Sequence, residues 1–575
     1  MIATLFKDKS RLIIFAIFIL GLFLRLYNLE DRALHHDESL HGVYSLYYLL
    51  NPKLSYYKYN PLLHGPFLYH IIPWFYWIID ISKWSLRLPA AMLGSLFIIT
   101  PIFFRRFLSK NLMIFTSLLI ALGPTFVYWS RFIRHDTFVF FSFFLALISF
   151  RQKPYLKMIL LATAAGVHFT SKENFFVHLL FFITFSLFEF FLLKLKKSDS
   201  PTLISKMMSF TKKYPYALLC GLGVFIFIAT FYYSSGYVYP QGILDGLYRK
   251  SLTYWANQHS TERIPGPFIY TFLINSLYES WWLPAIIMHL FFFYREKSKK
   301  IILGFICCFI PALIFQLTSL EIKESFFMTQ ILKVKINLDL YLFFPLIYHS
   351  IIGTSSYLLQ NKKVHAYTFF FFTASLFTYS FLGEKVPWLA LYPLMTSLIF
   401  FAIDFSEHLS NKKVPLLYLI IPKVIFNLVW CNYLYPSESK NLLSQVHTTR
   451  EFESTLESIR EEMDLFPNGQ GPLFLAKDGH TWPTTWYLTG RDEYQFHYTK
   501  NRLNHYKYIL TETTDREALS QLKDSHSIKD ISYRSWFLPE YENLTLFDYL
   551  KYWTYFGSNQ KMGQANLRLF IKTNL

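Results

Sequence analysis

The stretch LHHDESLHG, residues 34–42, sets Asp37 and Glu38 side by side among His35, His36 and His41. Similar knots of charge recur at the ends of apolar segments. SRFIRHDTF (130–138) carries Arg131, Arg134, His135 and Asp136, and TSKENF (170–175) carries Lys172 and Glu173. YWANQHSTERIPGP (254–267) lies in a long polar loop, and GEKVPW (383–388) carries Glu384 and Lys385. An ionisable group at a membrane edge is costly unless it meets water or a partner, so each is a functional candidate. Carboxylates beside cations suit one chemistry in particular, the transfer of a sugar from a lipid phosphate. A carboxylate takes the proton of an acceptor hydroxyl as it attacks the anomeric carbon. The leaving group is already a phosphate ester, so cations rather than an acid must receive its charge.

Blander roles fit the same residues. Arg131 at a span end reads equally as an interfacial anchor. Lys172–Glu173 and Glu384–Lys385 read equally as ion pairs capping helices. The spacing of His35, His36 and His41 matches no zinc pattern, and Asp37–Glu38 could simply be solvated.

The elements that must carry these residues are apolar. Of 575 residues 53% are hydrophobic, 20% aromatic and only 16% charged, where a soluble chain carries about a quarter charged. Runs such as LIIFAIFILGLFL (12–24), FVFFSFFLALISF (138–150) and ALLCGLGVFIFIATFYY (217–233) approach the length that crosses a bilayer. Candidate spans fall at 11–27, 64–81, 88–104, 111–128, 137–150, 155–170, 174–193, 215–233, 270–293, 301–319, 338–359, 365–382, 387–405 and 414–430. The net charge of +18 sits largely in short loops, 194–213, 295–300, 361–363 and 411–413. That is the positive-inside signature, and it argues against nucleic-acid binding. The basic head before the first span reads as cytoplasmic and the span as a retained signal-anchor. An odd number of crossings, about 13, then leaves the C-terminus outside. Most of the charged knots fall on that outer face.

Residues 436–575 change character. TTREFESTLESIREEM (448–463) reads as an amphipathic helix, PLFLA (472–476) and YKYILT (506–511) as strands. TDREALSQLKD (514–524) and LTLFDYLKYWTYF (544–556) read as helices and NLRLFIK (566–572) as a strand. The expectation is a polytopic α-helical membrane domain, 1–435, followed by a small extracytoplasmic α/β domain, 436–575. WPTTWYLTGRDEY (482–494) offers aromatics for an acceptor glycan or for a packed core.

The order of these features resembles the GT-C superfamily of polytopic glycosyltransferases, which use polyprenyl-phosphate-linked sugars. The acidic pair Asp37–Glu38 is followed by PLLHGPFLYHIIPW (61–74), SLRLPAAMLGSLF (85–97) and a span ending in YWSRFIRHD (128–136). That order is similar to the protein O-mannosyltransferase and lipid A aminoarabinose transferase branch. GEKVPWL (383–389), QHSTERIPGPFIY (258–270) and WPTTWYL (482–488) look like a prokaryotic family described as flippase-activity-associated. The resemblance covers essentially the whole chain. It implies Asp37 as acceptor-activating base, Glu38 supporting it or binding a metal, and Asp136 as the second acidic position. Arg134, Lys172 and Lys385 are then candidates for the donor phosphate, with Glu173 and Glu384 beside them and His64 orienting the first loop. The second site reads RHD, in which His135 has no assigned role.

The reading is a membrane glycosyltransferase with a polyprenyl-phosphate-sugar donor and a protein, glycan or lipid acceptor; a divalent cation is left open and no other cofactor is implied. The alternatives are a transporter or flippase for lipid-linked sugars and a non-catalytic envelope scaffold. A transporter should show midplane charges and two related halves, whereas here the charges lie at span ends.

Overall fold

The computed structural model describes residues 9–50, 56–258, 264, 266–318, 328–331, 334–477, 482–495, 503–535, 539–540, 544–560 and 563–573. Most of the QHSTERIPG motif lies outside the described residues.

Among them, six helices are long and apolar enough to cross a membrane: 83–104, 175–195, 215–233, 339–359, 387–408 and 414–434. The chain is a polytopic helical membrane protein. The count differs from the expected 13 or so because apolar runs do not all form single long helices. The run 111–128 breaks at Gly123–Pro124 into Lys110–Leu122 and Pro124–Ser130, bent by 53°, since proline at a helix start cannot continue the preceding hydrogen-bond ladder. The run 137–150 is a 15-residue helix, His135–Ser149, and 301–319 divides into Lys299–Cys307 and Ile310–Thr318. The first segment, Lys9–Leu26, is long enough but carries Lys9, Arg11 and Arg25.

Arg131, expected at an interface, is buried, as is Arg25. Arg131 gives its guanidinium to the carbonyls of Tyr27, Leu24 and Asn28, the last at 2.8 Å, and so closes the C-terminal end of the first helix.

A short hairpin pairs β1 (Met328–Ile331) with β2 (Val334–Asn337). The C-terminal strands are β3 (His447–Thr448), β4 (Phe474–Ala476), β5 (Tyr494–Gln495), β6 (Tyr508–Glu512), β7 (His526–Ser535) and β8 (Gln564–Lys572). They form a six-stranded mixed sheet in the order β3-β7-β8-β6-β4-β5, with β4 parallel to β5 and β6 and the other pairs antiparallel. The predicted helices appear as Arg450–Asp464, Arg516–Leu522 and Leu546–Tyr555. Strand β7, the longest, has no strand signal in its sequence. HSIKDISYRS hides its alternation under charge, because Asp530 faces Arg568 of β8 across the exposed side of the sheet at 2.7 Å while Ile531 and Tyr533 are buried.

This sheet packs against the helical region. One buried apolar cluster runs from Leu34, Tyr69 and Leu86 through Ile133 into Phe452, Phe474, Tyr533 and Leu567. The sheet and the helix 450–464 therefore bury their apolar face against the same elements that hold the charged knots.

Candidate active site

The helix His36–Leu50 begins inside LHHDESLHG, and its first turn explains why the two acidic neighbours differ. Glu38 bends back to accept the His35 backbone N–H at 3.2 Å, and the Asp37 N–H donates to His35 Nδ1 at 3.0 Å. Both satisfy amides that a helix start leaves unpaired, and both acids favour the positive end of the helix dipole. His35 Nε2 in turn meets the Gln445 carbonyl at 2.9 Å. With Nδ1 accepting and Nε2 donating, this imidazole is neutral.

Glu38 is closed to solvent. Its carboxylate accepts Arg87 Nε at 2.9 Å, Arg87 Nη2 at 2.8 Å, the Ile133 N–H at 3.2 Å and Arg32 Nη2 at 3.4 Å. Burial pushes this carboxyl up, and Arg87 and then Arg32 outweigh burial to hold it below the usual range. A divalent cation does not fit here: the oxygens are bound to guanidinium groups, which repel a second cation. Among the described residues no three His, Cys, Asp or Glu side chains converge as a metal needs. The sequence did carry a signal for Arg87, a lone cation inside the apolar SLRLPAAML, which must find a partner.

Asp37 faces the other way, with 29% of its side chain exposed. Its Oδ2 accepts Arg134 Nη1 in a short contact. Arg134 caps the helix His135–Ser149 in extended backbone, reaches Asp136 Oδ2 through Nε at 3.4 Å, and lies 3.9 Å over the Trp388 ring. Asp136, in the first turn of that helix, is buried and accepts Lys172 Nζ at 2.7 Å and the Tyr392 hydroxyl at 2.5 Å. Cations and carboxylates therefore alternate from Asp37 through Arg134 and Asp136 to Lys172. Burial is the largest influence and pushes the Asp37 carboxyl up, but the Arg134 guanidinium together with His35, His36 and His41 outweighs it and holds the group well below the usual carboxylate range.

The break that presents Lys172 is tight. The helix Pro154–Ser171 ends with Lys172 extended, and the next helix starts at Phe175. Gly65 packs on this break: its N–H donates to the Ser171 carbonyl at 3.1 Å, and a Cβ there would lie 2.1 Å from the Thr170 oxygen. The preceding His64 has φ 61°, in the left-handed region. Its Nδ1 meets Glu173 at 2.8 Å, and the Tyr59 hydroxyl meets the other Glu173 oxygen at 2.7 Å. Lys172 and Glu173 thus turn to different partners rather than pairing with each other.

GEKVPW contributes less of its charge and more of its aromatics than its sequence promises. Lys385 is buried and donates to the Ser380 and Leu382 carbonyls, closing the helix Lys363–Phe381. Glu384 is half-buried and meets no partner among the described residues. Trp388 and Tyr392 instead touch the cluster, and Arg534 and Trp482 of the C-terminal region reach the helix that carries Asp37. Arg534 Nη2 donates to His36 Nδ1 at 2.8 Å and to the Trp482 carbonyl at 3.2 Å, and Trp482 lies 6.1 Å from Tyr44. A bulge in β7 between Ser532 and Arg534 sets that aim. Aromatics and bulges far along the chain leave no mark near residue 37 in the sequence.

One cavity, about 310 Å³, is apolar. It lies between helices 110–122 and 387–408, lined by Leu112, Phe115, Trp281, Met288 and Phe401 among others, and by none of these charged residues.

No family model matches the chain, and no curated protein matches it. Among solved structures it is similar to the apo oligosaccharyltransferase of Archaeoglobus fulgidus, at 13% identity over 98% of this chain and 89% of that one, with a TM-score of 0.47. It is similar to ArnT of Cupriavidus metallidurans bound to undecaprenyl phosphate, at 10% identity over 97% of each chain, with a TM-score of 0.40. Over 41% of this chain and 34% of the other, it is similar to the protein O-mannosyltransferase Pmt1-Pmt2 complex of S. cerevisiae bound to the sugar donor, at 19% identity and a TM-score of 0.31.

Proposed function

We propose that this chain is a membrane glycosyltransferase that moves a sugar from a polyprenyl phosphate to an acceptor at the extracytoplasmic face. The observation that carries the reading is the alternating cluster Asp37–Arg134–Asp136–Lys172, in which Asp37 alone keeps substantial exposure. An open carboxylate next to a buried, carboxylate-anchored cation pair matches what the reaction needs. Asp37 takes the acceptor hydroxyl proton as the oxygen bonds to the anomeric carbon. The bond from that carbon to the phosphate oxygen breaks, and Arg134 and Lys172 receive the charge. Asp136 positions both cations and Glu38 positions the loop; neither needs to touch substrate. His64 and Glu173 hold the Lys172 break in place. Lys385 serves as a helix cap that sets Trp388 and Tyr392.

The test is release of free polyprenyl phosphate in proteoliposomes carrying a panel of polyprenyl-phosphate sugars, wild type against Asp37→Asn. Turnover lost in the variant supports the reading. Movement of labelled lipid between leaflets with no release from any donor would replace it with a flippase.

A further inference from the structure

Arg134 is placed between Asp37 and Asp136 in a way that a fixed ion pair does not require. Its Nη1 is on Asp37 and its Nε on Asp136, while Nη2 donates to no described residue. The guanidinium rests on the face of Trp388, a contact without a directional bond. Asp136 is independently held by Lys172 and Tyr392, so a shift of Arg134 away from Asp37 leaves no buried carboxylate unpaired.

We propose that Arg134 is a shared counter-charge: the donor's phosphate draws it from Asp37, coupling proton abstraction at Asp37 to charge build-up on the leaving phosphate. This rests on the glycosyl-transfer reading. The balance is complete. A phosphodiester donor carries one negative charge, and Asp37 and Asp136 are offset by Arg134 and Lys172. On transfer the acceptor oxygen bonds to the anomeric carbon, the bond to the phosphate oxygen breaks with its electron pair, and the acceptor proton goes to Asp37. The phosphate gains the negative charge that Asp37 loses, so the total is unchanged and only its position moves, from one side of the guanidinium to the other. Without donor, Arg134 stays on Asp37 and keeps it a poor base, which protects other hydroxyl compounds from being activated.

Asp37 is faced by Arg134 from the loop before helix 135–149, by His35, His36 and His41 of its own segment, by Tyr69, and by Arg534 of β7 beyond His36. Among the described residues Arg134 is the one permanent cation in contact with it, so its removal raises the carboxyl's affinity for a proton. In the free protein that affinity is depressed. With phosphate bound it rises, so binding takes up protons between the two values and tightens as pH falls through that window.

The probe is farnesyl methyl phosphate, a diester whose single charge does not titrate in this range, bound to the protein in nanodiscs. Calorimetry in buffers of different ionisation heat counts the protons. Wild type is expected to take up roughly half a proton near pH 4.5, a displaced carboxyl sitting near or above its ordinary value, and none near pH 7.5. Asp37→Asn is expected to bind with no uptake. Arg134→Gln should bind at least about tenfold more weakly and lose the uptake, and Arg134→Lys, which keeps the charge, should restore part of the affinity. Tight binding by wild type without uptake at pH 4.5 overturns the shared counter-charge and leaves the glycosyltransferase standing. Failure to bind any lipid phosphodiester overturns both.

Discussion

Glu38 and Arg87 form a closed pair: the guanidinium donates Nε and Nη2 to the two carboxylate oxygens at 2.9 and 2.8 Å, and both side chains are fully buried. The next residue before Glu38 is the partly exposed Asp37. Adjacent acids on one helix turn thus divide into a closed, doubly paired carboxylate and a partly open one.

Substitution should separate those roles. Asp37→Asn is expected to fold with near-wild-type thermal stability and to lose about 10²–10⁴-fold in turnover, the range of a general base. Glu38→Gln is expected to leave Arg87 and Arg32 short of a counter-charge and to lower stability by about 3–5 kcal/mol. Thermal unfolding in detergent beside a phosphate-release assay reads both effects.

Arg87→Met strands the Glu38 carboxylate in the same closed pocket, with Arg32 at 3.4 Å as its remaining cation. Destabilisation of a similar size, about 3–5 kcal/mol, is expected. Adding Glu38→Gln should recover part of it, because a neutral amide does not need the charge. A double-mutant cycle on melting temperature checks the coupling; additive effects would remove the pair from its anchoring role.

Stability should depend on pH through His36. Burial first, and then Arg534, lowers its pKa to about 4 from an ordinary 6.5, with Asp37 opposing. Between those values the unfolded chain binds the proton and the folded one does not, so stability is expected to fall as pH drops from about 6.5 towards 4. His36→Gln should flatten that slope in a melting-temperature series, whereas an unchanged slope would place the titration elsewhere.

The short helix Thr484–Leu488 of the C-terminal region docks on the helix 36–50 at Gly42, where a Cβ would stand 2.5 Å from the Trp486 ring. Gly42→Ala is expected to push Trp486 aside and cost about 1–3 kcal/mol through overpacking. Trp486→Ala should relieve it at the price of a cavity. Limited proteolysis of the C-terminal region reads the loosened contact, and equal resistance in all variants would refute it.

Lys172→Met leaves Asp136 with Arg134 at 3.4 Å and the Tyr392 hydroxyl. Loss of turnover is expected along with weaker binding of lipid phosphate, and Lys172→Arg should restore part of both. A variant that binds lipid phosphate normally would remove Lys172 from the donor side.

Composition and hydropathy alone determined that this chain is a membrane protein with an α/β tail, because long apolar runs leave few other solutions. The charged knots at their ends were equally visible, since charge beside hydrocarbon must be paired or wet. The spacing of apolar runs did not determine which runs stay whole: Gly123–Pro124 breaks one helix, and others stop at about 15 residues. Nor did it determine partners. Lys172 joins Asp136 rather than Glu173, Lys385 closes a helix, and Arg534 arrives from a strand almost 500 positions away from His36. Sequence adjacency made Asp37 and Glu38 look alike. Tertiary structure separated them, because a helix turn points consecutive side chains about 100° apart, one towards Arg87 in the core and the other towards Arg134 and the open side.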